Sequence, residues 1–225
     1  MSYDLPCEFG ADHFVRTLDR SRSLLPWLED WLSPAEAPRK ADLIFVLAGR
    51  ENRKHYALEL FSQKLGPRIL LSVARFEIRR FSKLSLPVPL DLLRLAADVP
   101  PPQRHFFVLF QGYDVQVNHV LPGRIGTLTE METLRRWLDE NPEVGSVLIV
   151  SSRTHLRRLE ICCRSLLSPN IDVVLIAASS GPSGIVGEQL SPIQTTLAVL
   201  VELFKVLLYS VLLNFRARRQ RPNAT

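Results

Sequence analysis

The 225-residue chain lacks the short motifs that mark several common enzyme classes. It has no GxGxxG loop and no GxxxxGKS/T loop, no GxSxG elbow, and no HExxH or other clustered His/Cys set. A standard nucleoside triphosphatase, a serine hydrolase and a metalloprotease are therefore not expected. Cysteine is scarce. Cys7, Cys162 and Cys163 make no disulfide framework, and no CxxC pair offers a zinc site. Adjacent Cys162 and Cys163 read as core or boundary residues, and free thiols fit a reducing compartment. Strong net charge is also missing, at +5. The local basic clusters, Arg153 to Arg158 and Arg216 to Arg221, read as solvated surface. No basic and aromatic motif recurs as in nucleic-acid modules, so nucleic acid is not an expected partner. The opening residues, Met1 to Pro6, lack the basic start and apolar run of a secretory signal, and a cytoplasmic protein is expected.

What is present is enough apolar sequence, 46% of the residues, to bury a sizeable core. Five short apolar runs read as buried strands: 42–48, 68–72, 105–110, 146–152 and 171–177. Residues 113–117 alternate, as an exposed edge strand or extended loop would. Helical spacing covers 11–32, 51–65, 91–98, 128–140, 154–167 and 192–215, with Pro26 expected to kink the first. This alternation predicts an α/β fold with a mostly parallel sheet of about five strands and helices on both faces. Residues 1–40 read as a helical arm and linker, 41–215 as one α/β domain, and 216–225 as a basic tail. The 179–187 stretch reads as a flexible glycine- and serine-rich loop.

In such a sheet, ligands bind at the carboxyl ends of the strands. Polar residues collect at these ends: Gly49, Arg50 and Arg53 after the first strand; Ser72, Arg75 and Glu77 after the second; Ser151, Ser152, His155 and Arg158 after the fourth. The connection from the third strand delivers Gly126, Thr127 and Glu130 to a helix start. Helix amino termini and arginines favour anions. The pattern points to a pocket for a phosphorylated or carboxylated ligand. Arg50, Arg53 and Arg75 would hold the anion, Thr127 would contact the ligand, and His155, beside a positive helix end, would handle a proton. The bland alternatives are a capping box from Thr127 and Glu130, helix capping by Ser151 and Ser152, and pairing of Glu77 with Arg79 or Arg80.

Four stretches carry a family resemblance: 41–50 (ADLIFVLAGR) with Arg53 and Ala57, 68–72 (RILLS), 126–130 (GTLTE), and 146–158 (SVLIVSSRTHLRR). Over about residues 41 to 210 the chain resembles the YdcF-like family, which includes SanA- and ElyC-type proteins and is catalogued as a domain of unknown function. Ala48-Gly49, Ser72-Val73 and Gly126-Thr127 depart from the family pattern and mark a divergent, soluble branch. The resemblance implies a Rossmann-like α/β fold with its site at the strand ends. It also implies a link to bacterial envelope or peptidoglycan-precursor metabolism, with S-adenosylmethionine as a cofactor proposed in the family.

The most hydrophobic run, 197–213, is shorter than a membrane span needs, and Glu202 and Lys205 interrupt it on the face of Tyr209. It reads as a core helix with a narrow polar stripe. The rival reading is a helix on a membrane surface, with the terminal arginines near anionic lipid. The sequence reading is thus a protein that binds a small anionic or lipid-linked metabolite. Its alternative is a non-catalytic ligand-binding or regulatory module, associated with the membrane surface through the last helix.

Overall fold

The computed structural model describes residues 27–120, 126–178 and 192–220. Residues 11–26 of the expected 11–32 helix, with its Pro26 kink, Cys7, the whole 179–187 loop and the last five residues lie outside them. Helical residues 27–32 (α1) lead into an extended segment and then the sheet. The elements that follow are β1 (Leu43–Val46), α2 (Glu51–Ser62), β2 (Arg68–Ala74), α3 (Ile78–Phe81), α4 (Leu92–Leu95), a 3-10 turn (Pro101–Gln103), β3 (His105–Gln111), β4 (Asp114–His119), α5 (Gly126–Glu140), β5 (Ser146–Ser151), a 3-10 turn (Arg153–His155), α6 (Leu156–Leu166), β6 (Asp172–Ala177) and α7 (Pro192–Gln220).

All four residues of β1 are buried, because β1 sits inside a six-stranded sheet ordered β4-β3-β2-β1-β5-β6. β1 pairs in parallel with β2 and β5, and β5 in parallel with β6, whereas β2–β3 and β3–β4 are antiparallel. The fold class is therefore α/β, but the sheet is mixed and has six strands where about five were expected. The difference comes from the alternating stretch, which is the edge strand β4. A two-residue connection with Gly112 at φ +60° folds it back on β3 as a hairpin. That hairpin also brings the chain back toward the edge where β1, β2 and β5 end, so α5 still starts there.

Period-two alternation divides the core between the two faces of the sheet. Leu43 and Phe45 pack with Leu128, Leu134, Leu156 and Leu159 of α5 and α6. Ile44 and Val46 pack with Ala57, Leu58 and Leu60 of α2 and with Phe81 and Leu92. The crossovers leaving β1 and β5, two neighbouring strands, thus lie on opposite faces. Such a point leaves a crevice at the strand ends. At the other edge, Asp42 joins β1 to β5 by accepting the Ser146 hydroxyl at 2.7 Å and the Gly145 and Ser146 N–H groups at 3.0 and 2.9 Å.

Cys162 and Cys163 are core residues, as expected, and burial pushes the Cys162 thiol up to about 12. The 153–158 cluster is not simply solvated surface. Arg153 pairs with Asp30 at 2.6 Å, Arg157 pairs with Glu160 at 2.6 Å and stacks on Trp31, and Arg158 is buried.

α7 inverts its expectation. Its buried stripe is narrow: Val199, Glu202, Val206, Tyr209 and Leu213. Val199 and Val206 pack on Leu28 and Leu32, so the end of the amino-terminal arm docks on this helix. The remaining apolar residues form an exposed face that includes Leu197, Leu200, Phe204, Leu207, Val211 and Phe215. Over Thr196–Arg216 the mean hydropathy is 2.1 with only 28% of the window buried, and by length and composition alone this helix could cross a membrane. The helix continues to Gln220, into what reads in the sequence as the tail.

Candidate functional site

The crevice is built outward from Ala48. Past the end of β1 the main chain still has buried polar groups that need partners. The Ala48 N–H donates to Glu130 of α5 at 2.8 Å, and the Ala48 carbonyl accepts from Arg53 Nη1 of α2 at 2.7 Å. Gly49 then turns the chain at φ +138° into α2. A Cβ at this position would stand 2.8 Å from Arg53 Nη1, so glycine serves both the turn and the close approach of the guanidinium.

Arg53 is 4% exposed and ties three segments together. Besides Ala48, it donates through Nε to Ser152 Oγ at 2.9 Å, and its Nη2 lies 2.8 Å from His155 Nδ1. The guanidinium has no acceptor to offer, so His155 Nδ1 accepts. The other ring nitrogen, Nε2, then carries the proton toward Glu202 Oε1 at 3.3 Å. His155 is therefore the neutral Nε2–H tautomer. Burial lowers its pKa, helped by the charges of Arg53 and Arg158 and opposed by the bond to Glu202.

Glu202 of α7 is the hub of the other wall. It accepts from Arg158 Nη1 at 2.8 Å, from Lys205 at 2.8 Å and from His155. Burial by itself would raise its pKa, but the bonds from His155 and Lys205 and the charge of Arg158 outweigh this and bring it to about 2. The Arg158 guanidinium also lies over the Tyr209 ring, 5.4 Å from its centre. On the far side of Arg53, Lys54 and Glu77 form a second buried pair, with Glu77 also accepting the Ala74 N–H at 2.9 Å. Burial lowers the Lys54 pKa against the pull of Glu77.

Two spaces open on this network. The larger, about 950 Å³, is lined by Gly49, Arg50, Arg53, Lys54, Glu77, Arg80, Ser152, His155, Glu202 and Lys205, and by Phe76, Phe81, Leu197 and Val201. The smaller, about 120 Å³, is lined by Leu47, Ala48, Gly49, Arg53, Thr127, Ser151, His155, Arg158 and Leu159. Nine of the thirteen residues singled out from sequence line one or both spaces.

The other four do not. Ser72 is fully buried beneath the site, donating to Glu130 and accepting from His105 Nε2 at 2.8 Å. Glu130 is spent on Ala48 and Ser72, so it does not close a capping box with Thr127. Arg75 is exposed and lines neither space, and Gly126 is exposed at the start of α5. The other bland alternatives also give way. Glu77 pairs with Lys54 rather than with Arg79 or Arg80, and Ser152 makes no helix-cap bond.

Lys54, Arg80, Glu202, Lys205 and His105 complete this cluster and were not among the expected site residues, Glu202 and Lys205 being read only as a polar stripe on the last helix. Lys54 had a readable signal, since it precedes buried Leu58 by four residues just as Arg53 precedes Ala57. Glu202 had one too, seven residues before Tyr209 on the same face. His105 had none, because its place depends on β3 running antiparallel.

Acid should loosen this cluster, and the signs agree. The Glu202 pKa is depressed from 4.5 to about 2, so its contribution is complete above pH 4.5 and disappears toward pH 2. The His155 pKa is depressed below 6.5, so its contribution is present above pH 6.5 and disappears as the pH falls through the lowered value. Denaturant midpoints from pH 7 to pH 2 should fall, with Glu202 accounting for on the order of 3 kcal/mol. The wild type and Glu202→Gln should converge in stability over the same interval; a constant difference between them would refute the assignment.

In comparisons with known proteins, the chain matches no family model, no curated protein and no solved structure.

Proposed function

We propose that the chain binds an anionic metabolite, phosphorylated and either nucleotide-like or lipid-linked, at the β1/β5 crevice of a Rossmann-like three-layer fold. In this reading it acts as YdcF-like proteins are expected to act, in bacterial envelope metabolism. The observation that carries the reading is the mixed lining of the 950 Å³ pocket. Arg50 and Arg80 line it without an ion-pair partner among the described residues, whereas Lys54, Glu77, Glu202 and Lys205 are paired with one another or with Arg158. Phe76, Leu197 and Val201 supply apolar surface to the same space. An anionic head with an apolar body matches both chemistries.

The second reading, a binding module without catalysis, is favoured by the state of His155. Both of its ring nitrogens are engaged, by Arg53 and by Glu202. A general base needs a free lone pair within reach of the substrate proton. His155 fits a positioning role better than proton transfer. Peripheral membrane contact of a cytoplasmic protein belongs to the same proposal. Leu197 and Val201 belong both to the pocket wall and to the exposed apolar face of α7. The bonds of Glu202 to Arg158 and His155 hold α7 along the domain, an arrangement for lying on a bilayer rather than crossing it.

A thermal-shift screen with polyprenyl phosphates, sugar nucleotides and S-adenosylmethionine tests the reading. A ligand at one hundred times its Kd should stabilise the protein by about 2.7 kcal/mol. Arg50→Ala and Arg80→Ala should each weaken a phosphorylated ligand about tenfold, by loss of a charge-assisted contact. A screen in which none of the three classes raises the midpoint would refute it.

A further inference from the structure

The smaller cavity holds donors that the described residues do not satisfy. Ser151 Oγ and Arg158 Nε are buried and have no hydrogen-bond partner among the described residues. Both residues line the 120 Å³ space. Arg53 lines it as well, and its three bonds use three of a guanidinium's five N–H groups. Arg158 spends Nη1 on Glu202, and its Nη2 reaches Thr127 Oγ1 only at 3.5 Å. Two guanidiniums and two hydroxyls thus surround a space with no carboxylate among the described residues that line it. Thr127, in the first turn of α5, adds the positive end of a fifteen-residue helix. Buried donors without acceptors are costly and are retained where something else satisfies them.

We propose that this cavity is a subsite for a compact tetrahedral oxyanion, a phosphoryl group or its sulfuryl analogue, at the end of the ligand held in the larger pocket. Size agrees. A cavity of about 150 Å³ takes a molecule the size of benzene, so 120 Å³ has room for one phosphoryl group. Position agrees as well. Gly49, Arg53 and His155 line both spaces, so the two meet at that trio. The neutral Nε2–H tautomer of His155 has its place in this arrangement: by accepting from Arg53 it holds the guanidinium at the boundary between pocket and subsite. The inference rests on the anion-binding reading above and sharpens it, by naming the group and the residues that receive it.

The test uses the full chain with inorganic phosphate and sulfate as probes, read by thermal shift and titration calorimetry. Millimolar phosphate should raise the midpoint of the wild type. Ser151→Ala removes an unsatisfied hydroxyl and breaks no hydrogen bond of the described protein. Its midpoint without phosphate should be equal or higher, and its phosphate affinity at least fivefold lower. Arg135→Ala, on the exposed face of α5, controls for loss of surface charge and should bind phosphate as the wild type does. The proposal is overturned if phosphate leaves the wild-type midpoint unmoved, or if Ser151→Ala binds it undiminished. In the second case the anion sits elsewhere. The larger-pocket reading is judged separately, by the response of the organic ligands to Arg50→Ala and Arg80→Ala. Organic phosphates that depend on those arginines but not on Ser151 would keep that reading and discard the subsite.

Discussion

Glu202→Ala is expected to destabilise the protein by about 3–5 kcal/mol, the range for breaking a buried ion pair by removing one partner. The side chain is 7% exposed and receives three donors, from Arg158, His155 and Lys205. Removing it leaves the guanidinium of buried Arg158 with the face of Tyr209 and a long contact to Thr127. The loss should appear as a lower midpoint in urea with an unchanged slope. Two comparisons separate a buried charge from mere loss of a contact. Lys205→Ala removes a partner that is 42% exposed at its side chain and should cost no more than about 1 kcal/mol. The double variant Arg158→Met/Glu202→Leu should recover most of the loss, because it removes both charges and leaves neither uncompensated. A Glu202→Ala protein as stable as Lys205→Ala would mean that the pair is solvated and that α7 is not anchored through it.

The same residue shows how far the fold could be read from the sequence. The central strands, the helices between them and the convergence of β1, β2 and β5 on one edge follow from apolar runs, glycines and helical spacing. Those signals are local, and burial on a sheet reinforces them. The direction of β3 is not a local property. His105 to Phe110 reads as a buried strand in either direction, and only the hairpin at Gly112 and the long excursion through α3 and α4 make it antiparallel. His105 and Ser72 therefore come together without any mark in the sequence. In α7 the periodicity is visible but its meaning is ambiguous. A helix with apolar residues on nearly every face does not reveal which face is inside. The polar stripe of Glu202 and Tyr209 is the inner one because Arg158 awaits it there. Of the site, the arginines and His155 were legible as charged residues at strand ends. Their mutual bonding was not, and it turns His155 from a free base into a clamp on Arg53.

Gly49→Ala should be the most damaging single change at the strand end, with an expected loss of about 3–5 kcal/mol and of ligand response together. Two independent penalties meet at this atom. The backbone holds φ +138°, a region nearly closed to residues with a Cβ, and forcing it costs about 1–3 kcal/mol. The new methyl would also lie 2.8 Å from Arg53 Nη1 and 3.0 Å from its guanidinium carbon. A lone exposed arginine would swing aside at little cost. Arg53 is buried and bonded to Ala48, Ser152 and His155, so moving it breaks those bonds at about 1–3 kcal/mol for a buried group left unpaired. Arg53→Met separates the two penalties. In that background the steric conflict with the guanidinium is gone, and Gly49→Ala should cost only the backbone share. The double-mutant cycle should therefore show a coupling of about 1–3 kcal/mol. Additive losses would mean that Gly49 serves the turn alone. A strong coupling would mean that Gly49 also leaves the backbone room for Arg53, whose guanidinium ties the end of β1 to Ser152 and His155.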